Sequence, residues 1–405
     1  MTDTTDPSPI DQGTLDWAHS MQARNAEYLV GKLARQNHGE AIDPAYRDRL
    51  MRAAVEGGTD PAVAAAALDR PVGGKMSEFD EPEVRRSSGD LVEDLTTTMR
   101  NATMSTGDRQ LLVWSLATGQ VNALCAANNW DPIYYHIFVD PDLLVFCNGI
   151  SKLLAECFAR ENAVVGDQVD MIGLMANAQS EEIQRRAVDL FASAVLRGTP
   201  RASEPWSPSP AAYNYAQQLT MALNFFPLAH ELAHLHLEHV EAPATRKRPV
   251  EDHGDFLVYA QDDEFQADIV GALVTIETLK RLQVPGLMNA LAPYIFLKSI
   301  ALLESCFEVF DVSAGEMSAT HPSSIARARK MRGAIEYIIG RGAPVPRYAN
   351  ALRAVDRVLD VLLFGCIMNL RRLKAEGRTP RERIRLTVAE YDERMDAAWK
   401  ASRGE

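Results

Sequence analysis

The feature that most constrains this chain is the run His230-Glu231-Leu232-Ala233-His234, which lies in a stretch of strong helix formers. On an α-helix, positions i and i+4 lie about 40° apart, so His230 and His234 project from one face and can share a metal ion. Glu231 can reach a water molecule at that metal and act as a general base. The run therefore predicts a helix with a metal site on one face.

A catalytic zinc site needs a third protein ligand and one position left for water. Glu264 follows His234 by 30 residues and offers a carboxylate, with Asp262 and Asp263 as close competitors. Only Glu264 has a second carboxylate four residues later, at Asp268, which can accept the other ring N–H of a ligating histidine. We therefore predict one Zn²⁺ per chain, held by the two histidines and Glu264 and supported by Asp268.

A third polar element reads Thr-His-Pro-Ser-Ser-Ile-Ala-Arg over 320–327. Its His321 or Arg327 could donate a hydrogen bond to the oxyanion of a tetrahedral intermediate. A histidine before a first-turn proline is also ordinary N-terminal helix chemistry, and an arginine in a helix often forms a surface salt bridge. Tyr259, in the loop between the two ligand-bearing helices, is another possible oxyanion donor.

Two further histidines follow the motif. On a continuous helix His236 and His239 lie about 240° and 180° around from His230, so they are predicted as surface or second-layer residues outside its site. The basic run 246–248 could line a cleft for an acidic peptide, although a charge run in a loop is usually only solvated.

The motif resembles a known family. His230-Glu231-x-x-His234, followed by Glu264-x-x-Ala267-Asp268, is similar to the gluzincin pattern of zinc metallopeptidases, in which the third ligand is a glutamate. A metzincin would instead carry a histidine ten residues after the first one, where this chain has valine. The resemblance implies a zincin-like core, bound zinc and peptide hydrolysis, with Glu231 as the base.

The element at 320–327 is similar to one in the CAAX prenyl-protease and heat-shock membrane-protease families. Soluble relatives with comparable segments are the Lit-like phage-exclusion peptidases and the peptidases that cleave phage-type repressors. The resemblance covers about 210–330. The predicted catalytic residues are Glu231, as the base, and His321, as a donor to the oxyanion.

The predicted function is that of a zinc-dependent endopeptidase acting on a specific intracellular protein, in phage defence or stress regulation. Its partner would be a protein or peptide substrate. Two other classes stay open, namely a zinc-containing regulatory or peptide-binding protein without turnover, and a helical scaffold with a structural histidine-rich helix.

Composition narrows the partners and the compartment. A net charge of -13 repels phosphate backbones and anionic lipid, so no nucleic acid is expected as a partner. The 5 cysteines show no CxxC pairing, which indicates buried thiols in a reducing compartment. The first residues have no secretory pattern, and no apolar run reaches the roughly 18 to 20 residues of a membrane span. We therefore predict a cytoplasmic protein of unknown oligomeric state.

The predicted fold class is mainly α, with a zincin-like core, a small β-hairpin or sheet, and helical flanking regions. The predicted domains are a disordered tail over 1–13, a helical region and linker over 14–90, a zincin-like metallopeptidase domain over 91–343, and a C-terminal helical region over 344–405.

Two local predictions accompany this division. The hairpin is expected from β-prone runs at 133–139 and 143–147 around Asp140-Pro141-Asp142. The linker is expected over 71–90, where glycine, proline and serine occur among many charges.

Overall fold

The computed structural model describes part of the chain, and the architecture below refers to these residues. They are isolated positions between 14 and 55, then 59–68, 81–107, 109–116, 121–127, 133–159, 164–165, 168–239, 247–250, 254–257, 261–284, 286–312, 322–340 and 345–380. The predicted tail over 1–13 lies outside them, as do residues 381–405 of the predicted C-terminal region.

The described chain is mainly helical with a small three-stranded sheet, which confirms the predicted fold class at that level. The helices of the first half are α1 (Pro61–Leu68), α2 (Pro82–Asn101), α3 (Pro141–Ala159), α4 (Met171–Ala178) and α5 (Glu181–Leu196). Those of the second half are α6 (Pro210–His236), α7 (Gln261–Arg281), α8 (Leu287–Ala290), α9 (Ala292–Glu308), α10 (Ser324–Gly340) and α11 (Val345–Ala375).

The main sheet contains β1 (Gln110–Ser115), β2 (Ala123–Ala127) and β3 (Tyr134–Val139) in the order β1-β3-β2. The central β3 is buried along its whole length, pairs in parallel with β1 and pairs antiparallel with β2. Two short antiparallel pairs join β4 (Val164–Val165) to β5 (Gln168–Val169) and β6 (Lys247–Val250) to β7 (Gly254–Leu257). In this main sheet β2 is an edge strand.

The predicted hairpin is wrong in its second strand. Residues 143–147 belong to α3, and β3 pairs with β1 and β2 instead. The side chain of Asp140 accepts a hydrogen bond from the Asp142 amide at 2.7 Å, and Pro141 occupies the first helical position, where its missing N–H costs nothing. Asp-Pro-Asp is therefore a helix start here, not a hairpin turn.

The predicted linker is wrong for 82–90, which form the first half of α2. The boundary predicted after residue 90 therefore falls inside a helix. Pro82 sits at the helix start, where proline is tolerated. A buried stripe at helical spacing then packs on the core and holds the helix: Val84, Ser88, Val92, Leu95 and Met99.

The core is built around α6. Almost every residue from Ala222 to Leu235 is buried, as expected for a helix that is apolar on all sides. Pro227 lies inside α6 and cannot donate to the carbonyl of Leu223, one turn earlier. The thiol of Cys147 on α3 contacts that carbonyl at 3.9 Å, so the neighbouring helix supplies a donor. Beyond Pro227, α6 continues through His230 to His236.

No helix in the described ranges combines the length and apolar character that crossing a bilayer requires.

Candidate metal centre

The site lies where α6 crosses α7. A Cβ at Gly271 would stand 2.9 Å from the backbone nitrogen of His230, closer than real Cβ contacts come. The absence of a side chain there lets α7 approach α6 at the motif. Glu264 and Asp268 precede Gly271 by seven and three residues, so all three lie on the face of α7 turned toward α6.

The crossing brings together the three side chains that the sequence predicts as ligands. His230, His234 and Glu264 are buried and could hold a metal ion, because one ligand atom of each lies within 4.8 Å of the others. The Nε2 atoms of His230 and His234 are 3.1 Å apart. They lie 3.4 Å and 3.5 Å, respectively, from Oε2 and Oε1 of Glu264.

These separations fit a small tetrahedral metal ion. Ligand atoms about 2.0 to 2.1 Å from a zinc ion in tetrahedral geometry are about 3.3 Å from one another. The three distances lie close to that length, and the two nitrogens face different oxygens of the Glu264 carboxylate. Two imidazoles and a carboxylate are also the donor set of many catalytic zinc sites. The residues present therefore fit a zinc ion.

The second nitrogen of His230 belongs to an ordered polar network. Its Nδ1 lies 3.1 Å from Oδ1 of Asp268. Arg327 on α10 donates to both oxygens of this carboxylate, from Nη2 to Oδ1 at 2.6 Å and from Nε to Oδ2 at 2.9 Å. The carboxylate thus links the ring to the guanidinium, as outer partners of metal ligands commonly do.

The field of this network favours positive charge at the ligand position. Burial and the charge of Arg327 lower the pKa of His230, but hydrogen bonds to Asp268 and Glu264 outweigh them and raise it to about 9. Burial alone would raise the pKa of Asp268, but the nearby Arg327 and His230 lower it to about 2. The buried carboxylates outnumber the single guanidinium, and a divalent cation would offset the excess.

Arg327 is held in place from a third helix. Ser324, at the start of α10, donates its hydroxyl hydrogen to Glu304 of α9 at 2.6 Å. One turn later Arg327 is nearly buried, with Nη1 3.9 Å from Oε2 of Glu264. The structure therefore places this predicted oxyanion donor beside the ligands, with its guanidinium bonded to Asp268.

Glu231, the predicted base, lies next to the sheet. It is 9% exposed, and its Oε2 accepts the backbone N–H of Cys125 on β2 at 2.7 Å. The motif glutamate is thus anchored to the outer edge of the edge strand. The other two predicted site residues, His321 and Tyr259, lie outside the described residues, as does Arg246 of the basic run.

The structure adds a residue that sequence reasoning left outside the site. His239 is buried, and its Nδ1 lies 3.0 Å from Nδ1 of His234, which makes it the second-layer histidine that was one of the two predicted outcomes. The other histidine, His236, is turned away and contacts the carbonyl of Ser105 at 2.9 Å. Gly271 was also missed, although a glycine inside a helix can mark a close approach of another backbone.

Comparison of the chain with protein-family models, with curated proteins and with solved structures found no match in any of the three. The site is therefore characterised by its geometry.

Proposed function

We propose that this protein is a zinc-dependent peptidase that hydrolyses a peptide bond in a protein or peptide substrate in the cytoplasm. The observation that carries the proposal is the buried cluster of two imidazole nitrogens 3.1 Å apart, which lie 3.4 and 3.5 Å from the two oxygens of one carboxylate, with a second carboxylate on the same helix. The gluzincin-like motif points to the same chemistry. Phage defence or stress regulation is the biological setting that the motif resemblance suggests.

The proposed roles follow from position. His230, His234 and Glu264 would hold the ion, which when bound supplies a Lewis acid that polarises the scissile carbonyl and lowers the pKa of water. Glu231 would take a proton from the attacking water and deliver it to the leaving amine. The hydrogen bond from the Cys125 amide to its Oε2 holds the carboxylate in place.

The sheet offers a place for an extended substrate. β3 pairs with one side of β2, while the Cys125 amide points from the other side toward Glu231. A peptide aligned along that outer edge could pair with backbone groups of β2 and bring its carbonyl to the buried cluster. Recognition through backbone groups tolerates many side chains, so substrate selection would come from elsewhere on the protein.

The proposed test changes Glu231 to glutamine. Because the amide keeps the side-chain shape but cannot accept the proton, the variant should retain one zinc ion per chain and lose at least about 100-fold in turnover. New protein N-termini in cells expressing the wild type, compared with cells expressing Glu231→Gln, would identify the substrate. Zinc is measured on both purified proteins.

A matched control is Glu277→Gln on α7, where the exposed glutamate pairs with the exposed Lys280 in the same helix turn. It should leave zinc content and cleavage unchanged. Full cleavage by Glu231→Gln would refute the role of the base. If the wild type binds zinc but neither it nor the variants cleave any protein, the result would favour a regulatory protein. If the purified wild type contains no metal, the result would favour a scaffold.

A further inference from the structure

The two motif histidines have different partners at their second nitrogen. His230 faces the carboxylate of Asp268, whereas His234 faces another imidazole, that of His239, with the two Nδ1 atoms 3.0 Å apart. On its far side, Nε2 of His239 lies 3.6 Å from Oδ1 of Asp263, the residue before the third ligand. A chain of polar groups therefore runs from the carboxylate of Asp263 to the ring of His234.

The backbone places His239 there through the end of α6. Glu238 adopts a left-handed conformation with φ 57°, and the amide of His239 donates to the carbonyl of His234 at 2.9 Å. This is the hydrogen bond of a Schellman helix end, which reverses the chain over the last helical turn. His239 therefore lies beside His234, whereas a continuous helix would place it on the side opposite to His230.

Only one arrangement of protons satisfies this chain when a metal is bound. If a metal ion binds Nε2 of His234, the proton of the neutral ring must be on Nδ1. His234 must then donate that proton in a hydrogen bond to Nδ1 of His239. His239 then accepts at Nδ1 and carries its own proton on Nε2, facing the carboxylate of Asp263. The carboxylate and the two rings therefore specify the tautomer in which His234 presents its Nε2 lone pair.

We propose that His239 is a positioning residue of the metal centre, which accepts the hydrogen bond of His234 and fixes the tautomer and orientation of that ligand. Asp263 adds a carboxylate 3.6 Å from Nε2 of His239, on the far side of the ring. The inference rests on the proposed metal centre. It assigns His234 a support equivalent to the one that Asp268 and Arg327 give His230.

The test uses three variants of His239 that separate the two ring nitrogens. In His239→Asn the amide oxygen can occupy the position of Nδ1, in His239→Gln the amide reaches only the position of Nε2, and His239→Leu has no acceptor. Zinc and cobalt affinities are measured by competition with a chromophoric chelator, together with the visible absorption of the cobalt-loaded proteins.

The three variants should differ in metal affinity. Loss of an outer partner weakens metal affinity about 10- to 100-fold, so His239→Leu and His239→Gln should show this loss with an altered cobalt spectrum. His239→Asn should keep most of the affinity and the wild-type spectrum. Thermal unfolding of the metal-free proteins shows which variants fold. If His239→Leu does not fold, the comparison of His239→Asn with His239→Gln still tests the inference.

Other outcomes would overturn the inference. Equal metal affinity for wild type, Gln and Leu variants would show that the hydrogen bond is unimportant, and equal weakening by Asn and Gln would show that packing of the ring matters instead. Two metal ions per wild-type chain, reduced to one by His239→Leu, would make His239 a ligand. A wild type that binds no divalent metal refutes the metal centre itself, a result distinct from all of these.

Discussion

At the scale of single residues, the site is organised by charge. Glu264 is fully buried and Asp268 is nearly so. Arg327 donates hydrogen bonds to the carboxylate of Asp268. Removing charged groups from water is expensive unless they are paired. The high pKa of His230 shows that this environment favours a cation even before a metal binds.

A pH prediction follows for His230. Its pKa is raised from 6.5 to about 9, so in the metal-free protein the ring is protonated near neutral pH. A metal can bind only the neutral ring, and binding should therefore release a proton. The apparent zinc affinity should rise about tenfold per pH unit below pH 9. Isothermal titration calorimetry at pH 7.5 in two buffers of different ionisation enthalpy measures the proton release.

The raised pKa of His230 should also make the stability of the metal-free protein depend on pH. A pKa that is raised on folding stabilises the metal-free protein fully below about 6.5, and this stabilisation disappears as the pH rises through about 9. Metal affinity that stays constant between about pH 6.5 and 8.5 would contradict the raised pKa.

The residues of the candidate metal centre were predictable because their relation is local. The spacing of His230 and His234, and of Glu264 and Asp268, fixes each pair on one helix face before any tertiary structure is known. His239 could not be assigned in this way, since its position depends on the left-handed φ of Glu238, a residue type that rarely adopts it. The bond from Cys125 to Glu231 joins residues 106 apart, beyond the reach of local pattern.

At the scale of elements, the site depends on how closely α6 and α7 approach. Their crossing is set at Gly271, where a Cβ would meet backbone atoms of His230 and Ala229. Backbone cannot rotate away as a flexible side chain can. The distance from Glu264 to the two imidazoles is therefore controlled by a residue that is itself no ligand.

Gly271→Ala should separate the helices. The added methyl group clashes with the motif backbone, so we expect destabilisation of about 1 to 3 kcal/mol and weaker metal binding. The matched control is Gly333→Ala in α10, where nothing lies within 4 Å of the new Cβ and the helix should gain up to about 1 kcal/mol. Urea unfolding and zinc titration of both variants measure the effects. Wild-type metal affinity in Gly271→Ala would show that α6 and α7 can accommodate the added methyl group without displacing the candidate ligands.

The two errors in the predicted elements have different causes. Residues 143–147 have strand propensity and 82–90 contain serine and glycine, yet both segments are helical. In α3 the capping by Asp140 decides, and in α2 the burial of Val84 and Ser88 against the core decides. A local cap in α3 and tertiary packing in α2 thus override weak propensity. The mainly helical class was predictable because apolar residues recur at helical spacing over long segments.

At the scale of the whole molecule, α6 is the central buried helix, and α3, α7 and the sheet pack around it. A metal bound by His230, His234 and Glu264 would link α6 to α7 through the middle of the core. Such a link exists only in the folded state, since the ligands come from separate helices. Metal binding should therefore couple to global stability.

Removing the metal should lower the melting temperature of the wild type. Free zinc at 100 times its dissociation constant stabilises a folded protein by about 2.7 kcal/mol, and dialysis against a chelator removes this contribution. Glu264→Gln, which keeps the volume but weakens the ligand, should melt at nearly the same temperature with and without zinc. Differential scanning calorimetry makes the comparison. An unchanged wild-type melting temperature would argue against a metal that links the two helices.

The most direct test of the central claim is an anomalous difference map from crystals of the wild-type protein, recorded on both sides of the zinc absorption edge. The account predicts one strong peak per chain, about 2.0 to 2.2 Å from Nε2 of His230, Nε2 of His234 and a carboxylate oxygen of Glu264. A zinc peak on other residues, or no peak at this triangle after loading with zinc, would contradict it.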